Sequence, residues 1–340
     1  MEYSDVLKNA KKLIKEKCRV CRECNGIACR GEIPGVGGKG TGSSFIRNRE
    51  KLNEVKIHLN TIVKKDTIDT SIELFGEKFK YPVFAAPIAA VGVNYSDALN
   101  DLEYSKVLVG GCRKAGVLAF TGDGVKDEFF DEPVSVIKDN KGMGIPTIKP
   151  WENKEIIRKI RKAEDAGALA VAVDIDAAGL ILLAMMGKPV STKSIEELKE
   201  ITSSTKLPVI FKGIMTVEGA KMALKAGAYG IVVSNHGGRV LDHTLATVEV
   251  LPEIAKVVKG KMKIFVDGGF RDGVDIFKGL ALGADAILIG RPYATAVYGG
   301  AKEGVELYTN KLGQELEETM IMTGCHRLDD IGDEHVIYDF

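Results

Sequence analysis

The run Ser234-Asn235-His236-Gly237-Gly238-Arg239 sets a histidine three residues before an arginine, with glycines between them. A histidine titrates near neutral pH and can take or give a proton. An arginine grips a carboxylate or phosphate through two parallel hydrogen bonds. Other polar residues end apolar runs in the same way. Asp174 and Asp176 follow Val171-Ala172-Val173, and Lys212-Gly213 follows Pro208–Phe211. Asp267-Gly268-Gly269-Phe270-Arg271 and Gly290-Arg291-Pro292 complete the set. Glycine exposes backbone N–H groups and arginine adds matched charge, so the last two runs read as a phosphate cradle, the alternative being glycine turns with surface arginines. Cys18, Cys21, Cys24 and Cys29 read C-x2-C-x2-C-x4-C. The first three match the opening of a bacterial ferredoxin run; the fourth comes one residue late, with no proline after it. Four thiolates also close a structural zinc site. Iron–sulfur, zinc and a metal-free cap of reduced cysteines all stay open, with iron–sulfur ahead of zinc on spacing.

The elements that position these residues follow from the apolar pattern. Eight short apolar runs alternate with helical stretches: Pro82–Ile88, Val117–Thr121, Ile145–Lys149, Leu169–Asp174, Pro208–Lys212, Gly230–Ser234, Lys263–Asp267 and Ala286–Gly290. Continuous apolar strands separated by helices signal a parallel sheet covered on both faces. Lys114-Ala115-Gly116, Asp165-Ala166-Gly167, Lys225-Ala226-Gly227 and Leu282-Gly283-Ala284 repeat as helix ends before alternate strands. The pattern predicts an α/β fold, a (β/α)8 TIM barrel over 81–340. An N-terminal cap over 1–80 would hold a helix near 4–17, the cysteines, the glycine-rich Gly31–Ser44 and short strands. Such barrels carry their chemistry at the C-terminal strand ends, where the polar runs fall. A single polar strand end is usually only a cap; five in succession argue for a site.

Composition narrows the function classes. Forty-seven Lys+Arg balance 47 Asp+Glu, which leaves no basic footprint for nucleic acid. Hydrophobic residues at 45% and charged residues at 28% belong to a globular chain rather than a disordered one. Lysines 8, 11, 12, 15 and 17 interrupt any N-terminal apolar core, and the longest apolar run, Ala177–Met186, is too short to span a bilayer. The expectation is a cytoplasmic protein without a membrane span.

The motifs from Ser234 to Arg239, Val266 to Arg271 and Gly290 to Pro292 closely resemble those of the FMN-dependent α-hydroxy acid oxidases and dehydrogenases, which include glycolate oxidase and lactate oxidase. The resemblance runs from about Tyr81 to Asp330. It implies FMN as cofactor and oxidation of a 2-hydroxy acid to a 2-oxo acid, with a hydride passing to the flavin. It implies His236 as base, Asp174 as its orienting carboxylate and Arg239 as the grip on the substrate carboxylate. Lys212 and Ser234 would contact the flavin, and Asp267 the ribityl chain. Gly268, Gly269, Arg271, Gly290 and Arg291 would surround the phosphate, and Ala86, Pro87, Ile88 and Ala89 would lie along the flavin face. It also implies a homotetramer or larger assembly and leaves oxygen, a quinone or a protein as electron acceptor.

The chain departs from the family around the substrate. A second substrate arginine is replaced by Ile181, a tyrosine ending the third strand by Ile148, an N-terminal tyrosine by Pro34, and a flavin-contacting glutamine by Pro146. Lys149 stands close enough to substitute. These changes predict a substrate with an apolar tail. Gly35-Val36-Gly37-Gly38-Lys39-Gly40 fits G-x-G-x-x-G by letter but follows no strand, so it reads as a loop over the barrel mouth, with Lys39 in reach of a ligand. Trp151 is either pocket lining or ordinary packing. Two rival readings remain: an FMN-dependent isomerase resembling type 2 isopentenyl diphosphate isomerase, which lacks the His-Gly-x-Arg pair, and a metal or redox sensor built on the cysteines.

Overall fold

The computed structural model describes every residue except Ile181, Leu182 and Ala184. Three short strands, β1 (Lys56–Ile57), β2 (Ile72–Leu74) and β3 (Glu77–Phe79), precede the barrel. Its strands are β4 (Val83–Ala85), β5 (Phe120–Thr121), β6 (Ile145–Ile148), β7 (Val171–Asp174), β8 (Val209–Ile214), β9 (Gly230–Val233), β10 (Lys263–Val266) and β11 (Ala286–Ile289). A last strand, β12 (Val336–Ile337), pairs antiparallel with β1. The barrel sheet runs β4-β11-β10-β9-β8-β7-β6-β5, with parallel neighbours throughout. A parallel bridge between Ala85 and Ala119 joins the two ends into a closed (β/α)8 barrel. Each of the eight expected apolar runs holds one strand.

The strands are apolar because nothing in them meets water. β4, β5, β6, β7, β9 and β11 are buried at every residue. The covering helices show the complementary stripe: in Asn153–Asp165 the buried residues are Ile156, Lys159, Ile160 and Ala163, one helical face. Two helices start on reciprocal caps, Asn100 with Glu103 and Ser194 with Glu197. The repeated glycines end helices as expected: Gly116, Gly167, Gly227 and Gly283 have φ of 79°, 69°, 82° and 109°, a region open to glycine at little cost.

The first 80 residues reach both ends of the barrel. The β2–β3 hairpin covers the N-terminal end, with Phe75 against Tyr229 and Phe79 edge-on to Phe84. The helix Ser43–Glu54 and the glycine-rich segment lie over the opposite mouth. The helix Tyr3–Ile14 packs on the C-terminal helical stretch Arg291–Thr323, which breaks at Ala301; Tyr3 stacks on Tyr308 at 5.4 Å. Among the described residues no helix is long and apolar enough to cross a membrane.

Candidate active site

A cavity of about 290 Å³ opens at the C-terminal ends of the barrel strands. The loop after β4 supplies one wall, Ala86 to Ala90. Facing it are Thr147 and Lys149 from β6, Asp174 from β7, Lys212 from β8, and His236 and Arg239 after β9. Asp267 to Arg271 and Gly290 with Arg291 close the far end.

Lys212 is the electrostatic centre of the site. Its ammonium lies 3.1 Å from Asp174 Oδ1, 3.1 Å from Ser234 Oγ and 3.7 Å from Asp267 Oδ2. Burial works against its charge, but Asp174, Asp176 and Asp267 outweigh that and hold it protonated. Asp174 accepts a second cation, Lys149, at 2.6 Å. Burial opposes ionisation of Asp174 as well, yet His236, Lys149 and Lys212 hold it well below the usual carboxylate range. Asp267 behaves oppositely: burial is its largest influence, and its pKa is raised. Lys149 is aimed from behind by Asp123, which accepts the Lys149 backbone N–H and the Trp151 indole N–H.

His236 is a non-glycine residue at φ 58°, followed by Gly237 at 61° and Gly238 at 78°. Such backbone persists where surrounding contacts enforce it. Here the His236 N–H donates to Ser234 Oγ at 3.0 Å, and the imidazole turns back toward β7. Its Nδ1 is 3.0 Å from Asp176 Oδ1 and 3.5 Å from Asp174 Oδ1. Asp176 stands that close because β8 passes it at Gly213, where a Cβ would come within 2.5 Å of the Asp176 side chain.

Arg239, Arg271 and Arg291 make no ion pair among the described residues. Arg239 donates to the carbonyls of Gly35 and Gly37 and to Asn94 Oδ1. Arg291 donates to Val36, Gly37 and Gly237 carbonyls, and Arg271 to those of Cys24 and Phe270. Burial, and then the neighbouring Arg291 cation, push Arg239 down to about 10. Buried cations held only by neutral oxygens are matched to anions.

Most residues singled out in the sequence line this cavity; several expectations need correction. Asp176, not Asp174, is the carboxylate nearest the histidine, and the sequence offered only its place two residues after Asp174. Thr147 and Lys149 face the cavity where Pro146 and Ile148 were expected. Side chains alternate along a strand, so a one-residue slip in register exchanges the faces. Ile148 is buried in the barrel wall. Ser234 stands behind the wall and links Lys212, Asp267 and the His236 backbone. Lys39 donates to the Val240 carbonyl rather than reaching inward, and Trp151 packs beside Lys159. Ile181 lies outside the described residues. The four N-terminal thiols do not converge on one point: among the described residues, the only three ligand-type side chains within 4.8 Å of one another are Asp174, Asp176 and His236. A mononuclear tetrahedral zinc site would hold its sulfurs roughly 3.8 Å apart, closer than these thiols stand.

The chain matches the FMN-dependent dehydrogenase family model over residues 36–185 and 181–338. It is 28% identical to glycolate oxidase 1 of Zea mays, covering 85% of this chain and 86% of that protein. It is 30% identical to 4-hydroxymandelate oxidase of Amycolatopsis orientalis, covering 88% and 92%. A peroxisomal (S)-2-hydroxyacid oxidase of Arabidopsis thaliana is 48% identical over 43% of this chain; that match spans only 39% of the Arabidopsis protein. A crystal structure of mandelate oxidase with (S)-2-phenylpropionate superposes with a TM-score of 0.78 at 27% identity, covering 99% of this chain and 97% of that one.

The cavity fits FMN on its own chemistry. Thr147 Oγ1 and Asp267 Oδ1 are buried without a hydrogen-bond partner, and both residues line the cavity, so each offers an open polar atom to a bound group. At the far end a Cβ on Gly290 would meet only Ala86 and Ile88 side chains, at 3.7 and 3.9 Å, so the backbone there is open to the cavity between two arginines. With the closed barrel, this cradle and the matched residues agreeing, the chain belongs to the FMN-dependent dehydrogenase family.

Proposed function

We propose that the protein oxidises a 2-hydroxy acid with an apolar tail to the corresponding 2-oxo acid. The observation that carries this reading is the set His236, Asp176, Asp174 and Arg239 around one cavity that also holds the buried Lys212. Arg239 binds the substrate carboxylate, since its charge has only neutral oxygens around it. His236 takes the hydroxyl proton, and Asp176 with Asp174 stabilises the imidazolium that results. FMN, which Lys212, Asp267, Arg271 and Arg291 would hold, would supply the acceptor for the hydride equivalent leaving the substrate carbon. Lys212 places a fixed positive charge where the reduced ring gains negative charge. Ile33, Val125, Phe129, Leu180 and Leu183 share the cavity wall and would take the apolar tail. The His-Gly-x-Arg pair disfavours the isomerase reading.

Anaerobic stopped-flow reduction of the flavin by glycolate, L-lactate and mandelate tests this. Mandelate should reduce it fastest and glycolate poorly, while His236→Ala retains FMN and is slowed about 10²–10⁴-fold. A clear preference for glycolate would overturn the apolar-tail assignment. Failure of every 2-hydroxy acid, or an unaffected His236→Ala, would overturn the reaction itself.

A further inference from the structure

The cysteine motif plays no part in the chemistry above, yet its surroundings are built. Residues 15–42 contain no helix or strand. Irregular segments of that length in a compact chain usually have a function. All four cysteines line a second cavity, of about 410 Å³, between this segment, the helix Tyr3–Ile14 and the C-terminal helical stretch. Cys18, Cys24 and Cys29 are half-buried and Cys21 is exposed.

Two observations choose among the possible occupants. The first is sulfur spacing. All four cysteines line the same space, and no three of their thiols lie within 4.8 Å of one another. A single zinc ion needs its four sulfurs in contact around one centre, whereas an iron–sulfur cubane spreads them, each bonded to a different iron. The second is charge. The same cavity is lined by six cations; Arg19, Arg49 and Lys311 are paired with Glu32, Asp275 and Glu315, while Arg22, Arg271 and Arg291 make no ion pair among the described residues. A cluster ligated by four thiolates is an anion, and this excess of cations suits it.

We propose that Cys18, Cys21, Cys24 and Cys29 ligate a [4Fe–4S] cluster in this cavity. Tyr95, Arg271 and Arg291 line both this cavity and the flavin cavity, so the cluster stands one layer of side chains from the phosphate end of the flavin site. The assignment is independent of the substrate, because metal content is measured without turnover.

The test is elemental and spectroscopic. The flavin-loaded protein, purified without oxygen, should contain about four iron and four acid-labile sulfide per chain. After dithionite reduction it should give a low-temperature electron paramagnetic resonance signal of a spin-half centre. Cys21→Ser, at the exposed ligand, should lose most of the iron and that signal while keeping its FMN. Stoichiometric zinc in the wild-type protein would overturn the proposal. So would metal-free protein with four titratable N-terminal thiols, whether or not the variant folds.

Discussion

Asp176→Asn removes the carboxylate nearest the base while keeping its shape. At 3.0 Å from His236 Nδ1, a full charge pair is worth about 5.5 kcal/mol at an effective dielectric of roughly 20. That dielectric suits the site, since the His236 and Asp176 side chains are 18% and 11% exposed. Asp174 remains 3.5 Å away, but it already shares its charge between Lys149 and Lys212. If it retains half the stabilisation, the variant loses about 2.7 kcal/mol in the proton-transfer transition state, or about a hundredfold in rate. Anaerobic stopped-flow reduction at saturating substrate measures this, with bound flavin quantified as a control. Asp174→Asn should behave differently, lowering flavin content because it frees two lysines in the cofactor wall. A rate within twofold of wild type for Asp176→Asn, with normal flavin content and slow chemistry in Asp174→Asn, would return the orienting role to Asp174 and refute the geometry.

Two further perturbations follow from the same network. Lys212→Met leaves Asp267 and part of Asp174 buried without their cation; breaking such pairs costs about 3–5 kcal/mol, so the melting temperature and the bound flavin should both fall, and unchanged values of both would contradict the role given to Lys212. Asp242 accepts hydrogen bonds from Thr41, Ser43 and His243; burial opposes its charge, but these donors hold its carboxyl well below the ordinary range. A carboxylate depressed in the folded state stabilises above its unfolded pKa of about 3.9 and loses that contribution as pH falls through the folded value. Asp242→Asn should therefore make the segment 35–43 more open to limited proteolysis at neutral pH; in the wild type the effect should begin only below about pH 4 and become complete only as pH falls through the much lower folded value.

The barrel was legible because each buried strand is a short, unbroken apolar run and alternate strands follow a helix-ending glycine. That Asp267–Arg271 and Gly290-Arg291 meet at one cavity was equally legible, since Gly-Gly-Phe-Arg and Gly-Arg-Pro each combine open backbone with charge at a strand end. What failed depended on directions in space. The facing side of β6 turns on a single residue of register, and nothing local distinguishes Thr147 from Ile148 as the inward residue. Choosing between Asp174 and Asp176 required the short 3-10 turn Ile175–Gly179, which brings the second carboxylate back beside His236. Lys39 was placed over the mouth correctly as backbone, but its side chain follows a carbonyl 201 residues away.

The caps on the two phosphate-end arginines also fix an order of events during synthesis. Arg271 reaches back 247 residues to the Cys24 carbonyl, and Arg291 reaches back 255 residues to that of Val36. The segment holding Cys24 and Val36 leaves the ribosome well before its partners, which follow β10 and β11. At about 5–20 residues per second, that separation is roughly 10–50 s. For that interval the segment has no barrel mouth to lie on, and contacts so distant in sequence are slow to find even once both halves exist. The four clustered cysteines therefore spend the nascent chain's life as a short peptide open to solvent, accessible to whatever loads or oxidises thiols before the enzyme closes around them.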